Sequence, residues 1–263
     1  MLKEEIRVFH NSYELASFIE KNKKELCDNS CYRDNQGQEF FNYKTCDDLI
    51  QEIKYGCKEY NNTYIEELKD LDVGFDTNNQ YYKTDDGLFY DIGEVVNGSP
   101  ECMLKDTEEG KKCLKVFIDV GFSWDTDNKV LQNRGISIFK LLYTLYMKNY
   151  ILDINWICFT EIAGRYEKMF FKLPENELNI PTIAAYCSPE FFRLMIVGMM
   201  HYFWYSQSGR SVCRCTDELK KEGLYLPGGY VDYTATNLRS IEESDKWVKK
   251  HFDQYVKSLE KGE

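Results

Sequence analysis

The sequence lacks any long hydrophobic run. No stretch reaches the roughly 18 uninterrupted apolar residues that a membrane-spanning helix needs. The nearest approach, residues 191–205, is shorter and contains Arg193 and His201. The N-terminal residues are charged from Lys3 onward, unlike the apolar core of a signal peptide. We therefore expect a cytoplasmic protein without a membrane association.

Nucleotide-binding loops and paired metal ligands are also missing. Neither G-x-x-x-x-G-K-[ST] nor G-x-G-x-x-G occurs, which excludes phosphate binding by those two loops. The ten cysteines have irregular spacings, and the one close pair, Cys213 and Cys215, lacks the spacing and the second pair of a zinc site. Without an export signal, free thiols in a reducing compartment are expected.

Histidine is scarce, with three residues in the chain. A nucleophilic pair of Cys187 and His201 is formally possible, since both flank one predicted helix. We favour the alternative, in which His201 is a structural histidine on an apolar helix.

Basic residues are few in the first part of the chain. Residues 1–110 hold 12 lysines and arginines against 25 aspartates and glutamates, whereas residues 111–263 hold 21 against 19. Because nucleic-acid binding depends on basic side chains that neutralise phosphates, the acidic part argues against that class. It would suit a basic protein partner, or it serves solubility alone.

The segment 114–161 predicts the core of the fold. Apolar residues form a strand at Leu114–Val120, a helix from Asn128 with Asp127 or Asn128 as its cap, and a second strand at Ile151–Phe159. A strand, a helix and a strand at this spacing predict two parallel strands with a right-handed crossover. A third strand at Tyr166–Leu173 follows too closely for a crossover helix, so we expect an antiparallel hairpin.

The rest of the chain predicts helices around this α/β core. We expect a strand at Ile6–Phe9 and three helices after it, the third from about Asn62 to Leu71, then a loop at Pro174–Pro181 and a polar segment at residues 206–222. A buried helix from Ser188, a short strand at Leu224–Leu226 and a last helix capped by Ser240 complete the prediction. We divide the chain into an acidic, mostly helical N-terminal extension, residues 1–110, packed on a Rossmann-like core, residues 111–263.

This order of core elements resembles that of von Willebrand A-like domains. In that family a D-x-S-x-S motif after the first strand builds a metal-ion-dependent adhesion site, and the aligned residues here are Asp119, Gly121 and Ser123. Glycine replaces the first serine, so one oxygen ligand is missing, and hard cations need several. We expect no cofactor, with magnesium at Asp119 and Ser123 as the alternative.

The loops after the core strands hold the candidate binding residues. Asp125 and Asp127 form an acidic cluster with Asp119, although helix capping explains Asp127 equally well. Arg134 lies in the first turn of the central helix, where a cation opposes the helix dipole unless it has a partner; we expect a carboxylate, Asp119 or Asp125. Tyr230 and Asp232 belong to the loop 227–237, where Tyr230 and Tyr233 are possible interface anchors.

Several short segments resemble a family of uncharacterised bacteriophage proteins. They are the IRVFHNSYE start, YGCKEY, the Gly98–Met103 stretch, Asn133-Arg134-Gly135, Ser188-Pro189 and the helix of Trp247. The resemblance spans nearly the whole chain and implies a viral origin, in the cytoplasm of a host, without implying an activity.

Three function classes remain. Our leading hypothesis is a non-enzymatic protein that binds a protein partner through residues 121–127 and 227–237. Binding directed at a host or its defence is one form of this hypothesis. The second is a divalent-metal-dependent hydrolase that uses Asp119, Asp125 and Asp127. The third is a nucleic-acid binder with a basic face of Lys111, Lys112, Lys115, Lys220, Lys221, Lys249 and Lys250. The oligomeric state is left open.

Overall fold

The computed structural model describes most of the predicted core and part of the N-terminal region. The described residues are 3–29, 46–57, 65–66, 68, 82–84, 89–90, 103–105, 112–122, 126–148, 150–162, 165–173, 180–189, 191, 216–229 and 231–260.

Strands and helices alternate through the described core. In chain order the elements are β1 (Lys3–Phe9), α1 (Ser12–Asn29), α2 (Cys46–Tyr55), β2 (Tyr82–Thr84), β3 (Phe89–Tyr90), β4 (Met103–Lys105), β5 (Lys112–Asp119), α3 (Asn128–Met147), β6 (Tyr150–Ile162), β7 (Arg165–Lys172), α4 (Ile180–Tyr186), α5 (Thr216–Glu222), β8 (Leu224–Leu226), a 3₁₀ turn (Tyr233–Thr236) and α6 (Ile241–Glu260). None of the helices described is long and apolar enough to cross a membrane.

Five strands form the central sheet, in the order β1-β7-β6-β5-β8. β5 pairs in parallel with both β6 and β8, and β1 pairs in parallel with β7. β6 and β7 form the antiparallel hairpin that the short connection predicted, with Ile162 opposite Arg165. The parallel β5–α3–β6 unit, the hairpin and the Rossmann-like α/β core are confirmed. β2, β4 and β3 form a separate three-stranded antiparallel sheet.

Alternation along the strands assigns side chains to the two faces of the central sheet. In β5, Val116 and Ile118 join the main core with α1, α2, α3, α4 and α6, whereas Phe117 joins a smaller cluster on the other face. That smaller cluster contains Leu219 of α5 and Tyr225 of β8. Helices therefore pack on both faces, as a mostly parallel sheet requires.

The first strand is part of the central sheet. β1 lies at its edge, and Phe9 stacks on Phe171 of β7 with ring centroids 5.5 Å apart. α1 continues from β1 and buries Leu15 and Ile19 in the main core. The division of the chain at residue 110 stays a prediction, but this segment contributes a strand and core side chains to the same sheet.

Two short helices were not predicted. α4 covers Ile180–Tyr186 and includes Pro181, which we had placed at the end of a loop; proline in a first helical turn loses no hydrogen bond, since its missing N–H would have no partner there. α5 has acidic residues in its first turn and lysines in its last, and this distribution of charge stabilises a helix through its dipole. We did not predict this helix because its sequence is mostly polar.

The helix predicted from Ser188 begins as expected. The Oγ of Ser188 accepts a hydrogen bond from the N–H of Phe191 at 3.0 Å. Its continuation, most of the third N-terminal helix predicted near residues 62–71, and Cys213 and Cys215 lie outside the described residues. Among the described residues, Cys57, Cys113, Cys158 and Cys187 form no disulfide bond.

A reciprocal capping box begins α6. Ser240 Oγ accepts from the N–H of Glu243 at 3.2 Å, and Glu243 Oε2 accepts from the N–H of Ser240 at 3.3 Å. Two N–H groups without helical partners are thereby satisfied. The predicted cap is confirmed.

We expect Ser240→Ala to lower the free energy of unfolding by about 1 kcal/mol, because it removes this acceptor. Urea denaturation followed by circular dichroism measures the change. Ser240→Thr is the matched control and should keep most of the stability, since threonine also caps helices. An unchanged midpoint for Ser240→Ala would show that the box does not stabilise α6.

Candidate binding site at the strand ends

The candidate site lies where the carboxyl ends of β5 and β8 meet the first turns of α3. β5 ends at Asp119 and β8 ends at Leu226, and the two strands are parallel neighbours. The residues that follow each strand, and the helix α6 beyond them, surround this edge. In open α/β sheets ligands bind at such strand ends.

Asp119 is fully buried, with 0% of its surface exposed. Its Oδ1 accepts from the N–H of Gly121, and its Oδ2 accepts from the hydroxyl of Tyr225, each at 2.8 Å. Burial raises the pKa of this carboxyl, and the hydrogen bonds from Gly121 and Tyr225 and the charge of Arg134 oppose the rise without cancelling it. Both carboxylate oxygens therefore organise the strand end.

Gly228 allows the loop after β8 to approach Asp119. A Cβ atom at this position would lie 2.5 Å from the carbonyl oxygen of Gly121 and 2.9 Å from Oδ1 of Asp119. Such distances are shorter than packed atoms tolerate, so the close contact of the two loops needs a residue without a side chain.

The guanidinium of Arg134 joins the ends of β5 and β8. Its Nη2 donates to the carbonyl oxygens of Asp119 at 2.9 Å, Pro227 at 3.1 Å and Leu226 at 3.4 Å. Its Cζ also lies 4.9 Å from the ring centre of Phe122 and 5.3 Å from that of Trp247, within cation–π range. Burial lowers the pKa of Arg134 to about 10, against the nearby charge of Asp119.

Of the two carboxylates that we predicted as partners of Arg134, Asp119 lies beside it and acts through its charge, and Asp125 lies outside the described residues. The hydrogen bond to Asp119 goes to its main-chain carbonyl rather than to its carboxylate. Carbonyl groups at a strand end have no ladder partner, and a buried carbonyl must find a donor. Arg134 supplies that donor. It is the seventh residue of α3, which begins at Asn128, so it lies in the second helical turn rather than in the first turn that we predicted.

Asp232 fixes the loop that follows β8. Its Oδ1 accepts from the N–H and hydroxyl of Thr234, at 2.9 and 2.6 Å, and its Oδ2 accepts from Nε1 of Trp247 at 2.9 Å. Nε2 of His251 lies 3.3 Å from the same Oδ2. Burial would raise the pKa of Asp232, but the hydrogen bonds from Thr234, Trp247 and His251 together lower it to about 2. Asp232 thus ties the 3₁₀ turn to α6 as an ionised group.

Tyr233 is presented by that fixed turn. It follows Asp232 directly and is 77% exposed, more than any other exposed large hydrophobic residue described. The Oγ1 of Thr236 and the Nδ2 of Asn237 both donate to its carbonyl oxygen, at 2.8 and 3.2 Å. The site can therefore offer an aromatic side chain from an ordered backbone.

Comparison with known proteins identifies a family for this chain. A family model for a domain of unknown function, DUF7192, covers residues 3–259. The chain belongs to this family. No curated protein and no solved structure matches it.

Three of the seven predicted site residues meet at this edge of the DUF7192 chain. Asp119 and Arg134 share the strand end, and Asp232 joins them through Trp247, which contacts both Arg134 and Asp232. Asp127 instead caps α3, since its Oδ1 accepts from the N–H of Lys129 at 2.8 Å. Ser123, Asp125 and Tyr230 lie outside the described residues.

The described carboxylates do not converge on a cation position. Within the described ranges, no group of three or more histidine, cysteine, aspartate or glutamate residues could hold a metal ion. Both oxygens of Asp119 already accept hydrogen bonds. Whether magnesium binds at Asp119 and Ser123 stays a prediction, because Ser123 is not described.

Cys187 is unsuited to act as a nucleophile in this structure. Burial raises the pKa of its thiol to about 12, although the charge of Arg134 acts in the opposite direction. The thiolate, which is the reactive form, is therefore rare at neutral pH. His201, the other member of the pair considered above, lies outside the described residues.

Sequence reasoning missed three residues of the site: Tyr225, Trp247 and His251. Trp247 and His251 are four residues apart on α6 and so share a helix face, with ring centres 4.8 Å apart. That spacing, together with the Asp232-x-Thr234 turn pattern, was the available signal. Nothing in the sequence pointed to Tyr225, since a tyrosine in a short apolar strand is common.

We expect Gly228→Ala to destabilise the protein by about 1–3 kcal/mol, because its methyl group would press on Gly121 and Asp119. Equilibrium unfolding in urea measures the loss. Arg239→Ala, an exposed position nearby, is the control and should change stability by no more than about 0.5 kcal/mol. Wild-type stability in Gly228→Ala would contradict the close approach of the two loops.

His251 should make stability depend on pH. Burial lowers its pKa below the usual 6.5, and the hydrogen bond and charge of Asp232 oppose the shift without cancelling it. Below its usual pKa the unfolded chain therefore binds the proton more readily than the folded chain, and stability falls as the pH falls.

We expect unfolding free energies measured between about pH 7 and 5 to decrease less for His251→Gln than for the wild type. Gln254→Ala, at an exposed position of α6 without a titratable group, should keep the wild-type dependence. Identical pH profiles for the wild type and His251→Gln would refute the role of His251.

Proposed function

We propose that this protein acts by binding another protein at the carboxyl ends of β5 and β8, with the turn Tyr233–Thr236 as a principal contact. The observation that carries the proposal is the combination of an exposed Tyr233 and a fixed backbone beneath it. Tyrosine is enriched among the residues that dominate binding energy in protein interfaces.

The fixed backbone of this turn favours a high affinity for a partner. Asp232 accepts hydrogen bonds from Thr234 and from Trp247 of α6, so the position of Tyr233 is set before a partner binds. Binding orders less of the chain when the contact is preorganised, and less entropy is lost. A tyrosine also needs few side-chain torsions to be fixed for its large contact area.

The chemistry of the carboxylates supports binding rather than catalysis. Oxygens of Asp119 and Asp232 accept hydrogen bonds from neighbouring protein groups, and Asp127 caps a helix. An acid–base or metal-dependent mechanism needs a carboxylate that reaches a substrate or ion. These three residues instead maintain the shape of the surface.

The described lysines among those considered for nucleic-acid binding lie on different faces; Lys111 and the side chain of Lys112 lie outside the described residues. Lys220 and Lys221 belong to α5, beside the smaller hydrophobic cluster, whereas Lys249 and Lys250 belong to α6, on the main core. Lys115 pairs with Glu222 at 3.2 Å. With a net charge of −11, this placement favours a protein partner over a phosphate backbone.

The finer form of the proposal is a von Willebrand A-like binding module of viral origin that acts in a host cytoplasm. The chain order β5–α3–β6–β7 followed by β8 and α6, with β7 antiparallel, supports the comparison with von Willebrand A-like cores. In such domains the surface after the first strand contacts the ligand. A host protein, including one of a defence system, is the partner that this version proposes.

We expect Tyr233→Ala to weaken partner capture by at least about tenfold, because it removes the anchor while Asp232 still holds the turn. Tagged wild-type and variant proteins would be used to capture partners from a lysate of the source or host cell. Nuclease and EDTA treatments, read by quantitative mass spectrometry, distinguish direct protein binding from retention through nucleic acid or metal.

Tyr13→Ala is the matched control. Tyr13 is 59% exposed and lies in the first turn of α1, which packs near β1 and β7 at the opposite edge of the sheet from β8. It should retain the partner at the wild-type level. A partner held equally by Tyr233→Ala and the wild type would place the interface elsewhere, and capture that EDTA abolishes would favour a metal-dependent activity.

A further inference from the structure

A small cavity lies between the central sheet and the helices α3 and α4. Its volume is about 20 Å³, and its lining includes Trp156, Arg134, Tyr186, Cys187 and Ser188. To hold one water molecule, a cavity needs roughly 10–15 Å³ of space that the centre of a water-sized sphere can occupy, and two to four polar partners. This cavity is therefore large enough for one water and too small for a phosphate or an organic ligand.

Two residues of the lining carry buried polar atoms without a hydrogen-bond partner in the protein. They are Nε of Arg134 and the hydroxyl oxygen of Tyr186, and the statement applies to partners within the part of the chain that the structure describes. Arg134 is 6% exposed and Tyr186 is 2% exposed, so bulk water does not solvate either side chain freely. Buried polar groups are almost always satisfied by protein or by ordered water.

We propose that this cavity binds one structural water molecule, which accepts a hydrogen bond from Nε–H of Arg134 and bonds to the hydroxyl of Tyr186. The chemistry of the lining fits water. The Nε–H group only donates, whereas a tyrosine hydroxyl donates or accepts, and water provides both acceptors and donors.

Ser188 offers the water a third partner. Its Oγ accepts from the N–H of Phe191, which leaves the hydroxyl hydrogen available to donate. A metal cation would be repelled by the guanidinium of Arg134, and an apolar guest would leave both polar atoms unsatisfied.

The water connects α4 to the strand-end site. The Nη2 of Arg134 binds the carbonyls of β5 and β8, and the water binds its Nε on the cavity side. Tyr186 is fixed by the rings of Trp156 and Phe191, with centroids 5.1 and 4.5 Å away. Tyr186 is thus a positioning residue that orients the guanidinium through the water.

Tyr186→Phe tests the proposal through the sign of its effect. If the water is bound, removing the hydroxyl breaks a satisfied hydrogen bond, and we expect the Tm to fall by about 2–4 °C. If the cavity is dry, the same variant removes an unsatisfied buried hydroxyl, and the Tm should stay constant or rise. A constant or higher Tm therefore overturns the proposal.

Two further variants calibrate this measurement. Tyr225→Phe removes a buried hydroxyl whose partner, Asp119, is known, and its Tm should fall. Tyr13→Phe removes an exposed hydroxyl and should leave the Tm unchanged. Each differs from the wild type by one oxygen atom, as Tyr186→Phe does.

Crystallography at high resolution provides the direct measurement. We expect density for one water within about 3.2 Å of both Nε of Arg134 and the hydroxyl oxygen of Tyr186. Ordered density in the wild type that weakens in Tyr186→Phe would support the site. A cavity without density in the wild type would overturn it, whatever the thermal data.

Discussion

The architecture of the candidate site depends on one buried cation. The guanidinium of Arg134 donates to carbonyl oxygens at the ends of both β5 and β8, and the rings of Phe122 and Trp247 pack against it. A strand end in a buried position leaves carbonyls unpaired, and each needs a donor. Because one planar group satisfies several of them, the two loops and α6 converge on α3.

The buried charge of Arg134 is tolerated because carbonyl oxygens accept hydrogen bonds from the guanidinium, and aromatic rings pack against the rest of it. Burial lowers the pKa of Arg134, but only to about 10, so the group remains a cation at neutral pH. The nearby Asp119 contributes through its charge and its main-chain carbonyl, while its carboxylate binds Gly121 and Tyr225. Arg134 and Asp119 thus organise the strand end, and the turn that contains Tyr233 forms the exposed surface beside it.

The predicted fold depended on periodicity, and the structure confirms most of it. The apolar run Leu114–Val120 and the helical spacing of α3 were sufficient for the parallel unit, and the short connection after β6 was sufficient for the hairpin. We did not predict α4 because it contains Pro181, and we did not predict α5 because its sequence is mostly polar. Asp119, Arg134 and Asp232 were identified as site residues, although Arg134 was expected to bind a carboxylate.

By itself, the sequence determined the α/β class, the antiparallel β6–β7 hairpin, and the caps at Asp127 and Ser240. These features are local, since each depends on residues close together in the chain. Tertiary structure decided that β1 joins the central sheet, that Tyr225 binds Asp119, and that Trp247 and His251 meet Asp232. Those contacts join residues far apart in sequence, and no local pattern encodes which distant group will satisfy a buried carbonyl or carboxylate.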